Sequence, residues 1–214
     1  MNKIQIYSPA KINLNLKVIK FDNNSRKHKL KSRVSILKLC DVIQIIKSKS
    51  LNIKYHKLNK KIYLADDIIK KTISYFDKKY KKKSSFNINV EKMIPVGYGL
   101  GGGSSNAASI LKFLYSYYKI NPNNFWIDAP NIGSDVLLFI DQNPKMIDGI
   151  KSIKRIKPSK PRWKKIFIII PNQKNLTKDI LLNFKKKQYH HTNIKTKNDL
   201  TYSSRALNPE FTRI

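Results

Sequence analysis

Five of the seven glycines in this 214-residue chain fall between residues 97 and 103, directly ahead of a segment with helical periodicity. A chain so poor in glycine that gathers it at one point has a backbone requirement there. Glycine lets the main chain take positive φ and approach a ligand closely. The free N–H groups and the dipole at the start of the following helix attract an anion. The stretch Pro95-Val96-Gly97-Tyr98-Gly99-Leu100-Gly101-Gly102-Gly103-Ser104-Ser105 is therefore expected to cradle a phosphate. A flexible linker is the competing reading. Leu100 interrupts the glycines, and a helical pattern through Ala107, Leu111, Leu114 and Tyr118 follows at once, which argues against it. No Gly-Lys-Ser/Thr follows, so this is not a Walker A loop. The dinucleotide fingerprint is also excluded, because it opens a strand–helix crossover with an acidic residue about 20 positions on.

Strand and helix signals surround this loop. Residues 4 to 18 read as two extended pieces broken at Ser8-Pro9-Ala10. From Ile12 the pattern alternates, with Ile12, Leu14, Leu16 and Val18 apolar; a period of two means a half-buried strand. Lys11, in phase with Asn13, is expected on the face away from the core. Residues 21 to 33 read as a loop or short edge hairpin. Further strands are expected at Val34–Leu39, Val42–Ile46, Leu51–Tyr55, Phe86–Val90 and, buried, Ile166–Ile170. Ile69, Ile73, Phe76 and Tyr80 mark an amphipathic helix over 67–80. A second helix is expected over roughly 105–118, and another near 178–187. A polar turn, Asn131-Ile132-Gly133-Ser134-Asp135, precedes an apolar run from Val136 to Ile140.

Composition excludes several classes. No apolar run approaches the roughly 18 residues of a membrane span, and the N-terminus lacks the apolar stretch of a signal peptide. Cys40 is the only cysteine, so no internal disulfide forms and a cytoplasmic protein is expected. The net charge of +31 raises the question of nucleic acid. Only six of the 44 basic residues are arginine, however, and the lysines spread over the whole chain. Abundant Lys, Ile and Asn with scarce Gly, Ala and Arg is the profile of an AT-rich coding sequence. Nucleic acid is not the expected partner, no membrane is expected, and the oligomeric state is left open.

The glycine loop resembles the ATP loop of the GHMP kinases. Leu100-Gly101-Gly102-Gly103-Ser104-Ser105-Asn106-Ala107-Ala108 is similar to the form seen in their 4-diphosphocytidyl-2-C-methyl-D-erythritol kinase family. Ser8-Pro9-Ala10-Lys11-Ile12-Asn13-Leu14 resembles that family's opening strand. Ile132-Gly133-Ser134-Asp135-Val136 matches its Gly-Ala-Asp-Val-Pro stretch in all but two positions. The three motifs stand in family order, and the likeness covers roughly residues 4 to 200. It implies an α+β, two-domain GHMP-kinase fold, with a mixed β-sheet packed with helices. Residues 1–155 would be the ATP-binding and catalytic domain, and 156–214 an abbreviated second domain. Family members continue beyond the position of Ile214 through another glycine-rich turn, whereas Gly149 is the only glycine here after Gly133.

The resemblance also implies chemistry. ATP, with Mg²⁺, would phosphorylate the 2-hydroxyl of 4-diphosphocytidyl-2-C-methyl-D-erythritol, a step of non-mevalonate isoprenoid synthesis. Asp135 would take the hydroxyl proton, and Lys11 would polarise that hydroxyl and favour the charged carboxylate. Residues 95–105 would hold ATP; Asn13, Lys27 and His28 would meet the substrate. The family's Tyr-His pair is Lys27-His28 here, so the stacking aromatic is gone. Tyr98 stands where the family has a small residue, and Leu137 replaces a proline. No metal ligands are assigned. Taken alone, Lys11 reads equally as a surface lysine and Asp135 as a helix N-cap. Asp66-Asp67 falls where the family has a polar pair near the base, but capping the next helix is the preferred reading. Two alternatives remain: another GHMP small-molecule kinase, or a non-catalytic remnant binding nucleotides or polyanions.

Overall fold

Alternation along Phe86–Glu91 buries Phe86, Ile88 and Val90 and leaves the residues between them more exposed, the pattern of a strand with one face on a core. In a computed structural model this segment is one of eight strands among the described residues. These residues are 3–24, 27–58, 60–64, 66–149, 152–157, 166–170, 177–187 and 198–208. The strands are β1 (Ile4–Asn13), β2 (Lys17–Asp22), β3 (Lys27–Lys47), β4 (Asn52–Lys57), β5 (Lys60–Ile62), β6 (Phe86–Glu91), β7 (Lys145–Gly149) and β8 (Ile153–Arg155). The helices are α1 (Ile68–Tyr80), α2 (Gly102–Tyr117), α3 (Phe125–Ile132), α4 (Thr177–Lys187) and α5 (Thr201–Leu207). The chain divides into two units. The first comprises residues 1–11, 36–96 and 100–142; the second comprises 12–35, 97–99 and 143–214.

In the first unit β5, β4, β6 and β3 lie side by side. β4 and β6 are parallel and are joined through β5 and α1, while β6 runs antiparallel to residues 42–47 of β3. Ile43 and Ile45 of β3 share the interior with Ile88 and Val90 of β6, and Ile69, Ile73 and Phe76 of α1 are buried too. α2 is buried almost all round through Ala107, Ala108, Ile110, Leu111, Leu114 and Tyr115, as the central helix of a layered core must be. It packs against α1, α3 and the 3-10 turn Val136–Phe139. Asp67 caps α1, its carboxylate accepting from Lys70 N at 2.9 Å and from Tyr55 Oη at 2.5 Å. The preferred reading of the Asp66-Asp67 pair thus matches the geometry of Asp67.

In the second unit β2 forms an antiparallel hairpin with the start of β3, closed by Asp22 opposite Lys27. Leu30–Val34 pairs with β7, which pairs with β8. Asp199 accepts from Lys17 Nζ at 2.7 Å and from Val18 N at 2.9 Å. α4 and α5 pack together.

Several expectations are corrected. β1 runs through Ser8-Pro9-Ala10 without a break, since among the described strands β1 pairs with β3 alone and proline is tolerated on a strand edge. The strand expected from Ile12 to Val18 is interrupted: β1 ends at Asn13, and the Asn15 side chain accepts Arg33 N at 2.7 Å in place of a regular ladder. Of the two readings of residues 21–33, the hairpin is the one seen, with β2 antiparallel to the start of β3. Val34–Leu39 and Val42–Ile46 merge into β3, because Asp41 between them is buried and fully engaged. α2 starts at Gly102, earlier than its side-chain pattern suggests. Ile166–Ile170 is neither strand nor buried; Phe167 is 88% exposed. Lys11 is 6% exposed, not on an outer face, because the glycine loop covers that side of β1.

One polar cluster joins three helices of the first unit. Asp128 on α3, with no exposed surface, accepts from Tyr75 Oη (3.0 Å), Tyr80 Oη (2.7 Å) and Tyr115 Oη (2.6 Å), and from the Lys79 ammonium. Burial works against its ionisation. The donors, Lys79 foremost, outweigh burial and hold the carboxyl below its ordinary value. A depressed carboxyl contributes stability above its unfolded pKa, near 3.9, which is lost as pH falls through the lower folded value. Asp128→Ala is expected to cost about 3–5 kcal/mol in denaturant unfolding at neutral pH. The penalty should shrink below about pH 4, where the wild type loses the same contribution. A pH-independent difference would contradict this.

Candidate active site

β1 and the start of α2 are joined at three points, all within the first unit. Lys11 N donates to Leu100 O at 2.9 Å, and Ser8 Oγ donates to Ser105 Oγ at 2.8 Å with both serines fully buried. The third is a close approach. A Cβ added to Gly101 would lie 2.9 Å from Phe139 Cζ and 3.0 Å from Lys11 Cγ, and Gly101 has φ +71°. Only glycine satisfies both the space and the left-handed backbone. Leu100, 8% exposed, anchors this part of the loop in the core. Gly97 and Gly99 also take positive φ, at 90° and 73°.

At the helix start Ser105 N donates to Gly101 O at 2.9 Å. The N–H groups of Gly102, Gly103 and Ser104 have no acceptor among the described residues. Orphan donors at a helix N-terminus, aligned with its dipole, make an anion site. Gly102 and Gly103 belong to the helix itself, so the segment expected as a loop is partly the first turn of α2.

The Lys11 side chain passes over Gly101 to reach Asp135, with Nζ 3.7 Å from Oδ2. The Lys11 side chain is 8% exposed and that of Asp135 is 39%. Asp135 precedes the 3-10 turn Val136–Phe139, yet its side chain makes no capping hydrogen bond. Its carboxylate is thus committed neither to the backbone nor to the core: Oδ2 faces the lysine, Oδ1 accepts a long hydrogen bond from Ser134 Oγ at 3.5 Å, and the rest meets solvent. Gly133 keeps the turn tight, since a Cβ there would lie 3.2 Å from Val136 Cγ2.

The structure therefore gathers Lys11, Asp135 and Leu100 to Ser105 in one place. Pro95 and Val96 lead into the loop from the same unit, Pro95 half-buried and Val96 42% exposed. Asn13, Lys27, His28, Gly97, Tyr98 and Gly99 belong to the second unit. There Asn13 ends β1, and His28 lies in β3 with its ring edge-on to Phe21 at 5.0 Å and to Phe184 at 6.3 Å. His28 is half-buried on its strand. Sequence reasoning missed the work of Ser8, although it lies in a recognised motif, and missed Asp41, Lys92 and Phe139. Asp41 pairs with Lys92 across 51 positions, and no local pattern signals such a pair.

Comparison with known proteins follows these motifs. The GHMP kinases N terminal domain family matches residues 67–136. The chain is 33% identical over 140 residues to the 4-diphosphocytidyl-2-C-methyl-D-erythritol kinase of Ureaplasma parvum, covering 64% of this chain and 53% of that one. It is 37% identical over 165 residues to the Pelagibacter ubique enzyme of that name (73% and 57%). With the Clostridium perfringens enzyme of that name the figure is 32% over 211 residues (92% and 72%). The chain thus spans little more than half the length of the first two. Among solved structures, 4-(cytidine 5'-diphospho)-2C-methyl-D-erythritol kinase superposes with a TM-score of 0.67 at 21% identity, over 98% of this chain and 80% of that one. Methanococcus jannaschii mevalonate kinase superposes with 0.59 at 16% (100% and 73%). At these identities the likeness speaks for the fold alone, a GHMP-kinase fold.

Replacing Gly101 with alanine should test the close approach directly. The added methyl must displace Lys11 or Phe139 and adopt a disfavoured φ, a cost of about 1–3 kcal/mol. Gly101→Ala is expected to lower the melting temperature and weaken ATP about tenfold or more, at 1.4 kcal/mol per tenfold. Gly99→Ala, which meets nothing within 4 Å, should be the milder variant in both measurements.

Proposed function

This chain belongs to the 4-diphosphocytidyl-2-C-methyl-D-erythritol kinase family of GHMP kinases, and on that premise we propose that it transfers the γ-phosphate of ATP to the 2-hydroxyl of 4-diphosphocytidyl-2-C-methyl-D-erythritol. The observation that carries the reading is the Lys11–Asp135 pair, 3.7 Å apart, beside the orphan N–H groups of α2. In this reading residues 95–105 hold the ATP phosphates. Residues 1–155 form the ATP-binding and catalytic domain, and 156–214 belong to a second domain. Asn13, Lys27 and His28 take the substrate, by family resemblance.

Phosphoryl transfer asks the protein mainly for positioning and charge stabilisation. The substrate oxygen attacks Pγ and forms the new P–O bond, the bond from Pγ to the β-bridging oxygen breaks, and ADP leaves. Asp135 takes the hydroxyl proton as that oxygen commits its electron pair. Lys11, desolvated under the loop, orients the carboxylate and stabilises negative charge on the attacking oxygen. The N–H groups of Gly102, Gly103 and Ser104 donate to the phosphate oxygens and stabilise their charge.

Mg²⁺ fits the residues present. The partly exposed carboxylate of Asp135 and the half-buried hydroxyl of Ser104 are hard oxygen donors at the loop. No group of three or more His, Cys, Asp or Glu gathers among the described residues. Mg²⁺ is commonly held by substrate phosphates with one or two protein oxygens, and it would neutralise phosphate charge here. No described helix is long and apolar enough to cross a membrane.

Two measurements test the reading. Incubation with ATP, Mg²⁺ and the cytidine substrate should release ADP, and Asp135→Asn should cut kcat about 10²-fold or more with little change in ATP binding. Near-normal turnover in that variant removes Asp135 from the role of base. Lys27→Tyr should tighten the cytidine substrate about tenfold, since base stacking is worth roughly 1–3 kcal/mol, and leave ATP unchanged. Equal substrate affinity in calorimetric titration would mean that the cytidine does not sit beside His28.

A further inference from the structure

Lys92 follows β6 and is 4% exposed, a buried cation that the mechanism above does not use. Its Nζ donates to Asp41 Oδ2, and Asp41, with no exposed surface, also accepts Met93 N at 2.9 Å and Ile94 N at 2.8 Å through Oδ1. A buried ion pair of this kind is usually read as a fastening between a strand and the segment after it. Its position says more. Nζ lies 3.4 Å from where a Cβ of Gly102 would stand, and Ile94 Cγ2 lies 3.1 Å from the same point. The ammonium therefore packs against the first residue of α2. It is the charged group nearest that point, the Asp41 carboxylate lying farther off.

This places a positive charge at the positive end of a helix, next to three N–H groups that have no acceptor among the described residues. A cation there opposes the helix dipole. The Asp41 carboxylate offsets the charge but is shared among three donors, and the pair turns its positive end toward the helix. The arrangement is electrostatically unfavourable until an anion binds the first turn. Gly102 suits the close approach, because a Cβ there would crowd Ile94 at 3.1 Å and already touch the ammonium at 3.4 Å.

We propose that Lys92 is a second cation of the phosphate site, acting from behind the first turn of α2 on the ATP phosphates without contacting solvent. The proposal rests on the ATP-binding reading above and extends it to a residue outside the loop. Asp41 is its positioning partner: it fixes the ammonium, and through the N–H groups of Met93 and Ile94 it fixes the chain entering the loop.

Removing Lys92 alone would strand a buried carboxylate, so the test uses a neutral pair. Asp41→Asn/Lys92→Met keeps an acceptor for the two backbone N–H groups. Mg²⁺-ATP, inorganic tripolyphosphate and adenosine are titrated by calorimetry into the full chain and into this variant. The expected result is about tenfold weaker binding of ATP and tripolyphosphate, with adenosine unchanged. Equal ATP affinity in a folded variant overturns the proposal. So does an equal loss for all three ligands, which would mean that the pair only shapes the loop. Should the methionine variant fail to fold, Asp41→Asn/Lys92→Gln, which allows a hydrogen bond between the two amides, reads the same quantity. Failure of both to fold would make the pair a requirement of the fold and overturn the proposal. A wild-type chain that binds neither ATP nor tripolyphosphate would instead sink the ATP reading itself.

Discussion

The backbone hydrogen bond from Lys11 to the carbonyl of Leu100 is the contact on which the candidate site depends. It brings strand β1 against the glycine loop. Once it forms, the Lys11 side chain has one direction to go, across the face of Gly101 toward Asp135. The buried hydroxyl pair of Ser8 and Ser105 repeats the grip one helical turn further along. A strand and a helix N-terminus held at two such points cannot slide past each other without leaving buried polar groups unmatched. The distance between the lysine and the aspartate is thereby set by the backbone and not by the ion pair itself, which is partly exposed and of modest strength on its own.

The other side of the loop is held by a different kind of force. Asp41 is buried with three donors on it, two of them the backbone of Met93 and Ile94, just before the loop begins. Entry to the loop is thus set by a charged group and exit by a neutral hydrogen-bond pair. Between them the glycines supply close approach, at Gly101 against Lys11 and Phe139 and at Gly102 against Ile94 and Lys92. Far from the loop, Asp128 and its tyrosines lock α1, α2 and α3 together, so that α2 presents its N-terminus from a fixed support.

Much of this was legible in the residues. The glycine cluster before a helical pattern marked a loop leading into a helix N-terminus, and the motifs around Lys11 and Asp135 singled out the two side chains that the structure brings together. The Asp67 cap was readable because an N-cap is a local event within one turn. The strands expected at Leu51–Tyr55 and Phe86–Val90 lie close to β4 and β6. Where reading failed, the cause was long-range. Alternation put Lys11 on the side of β1 away from the core. The face it points to, however, is covered by a segment some 90 residues later. Ile166–Ile170 has the composition of a buried strand, but composition does not supply a partner.

The sequence by itself determined the local chemistry: a glycine-rich turn leading into a helix, a lysine and an aspartate within family motifs, and helices with defined apolar faces. Short-range backbone preference and hydrophobic period carry that information, because each depends on neighbours within a turn or two. Only the tertiary structure decided that Lys11 is buried, that Ser8 meets Ser105 across 97 positions, and that Lys92 and Asp41 meet behind the first turn of α2. Pairings of that kind are set by which surfaces the packed core brings together. A polar residue shows nothing of its partner until desolvation forces it to find one.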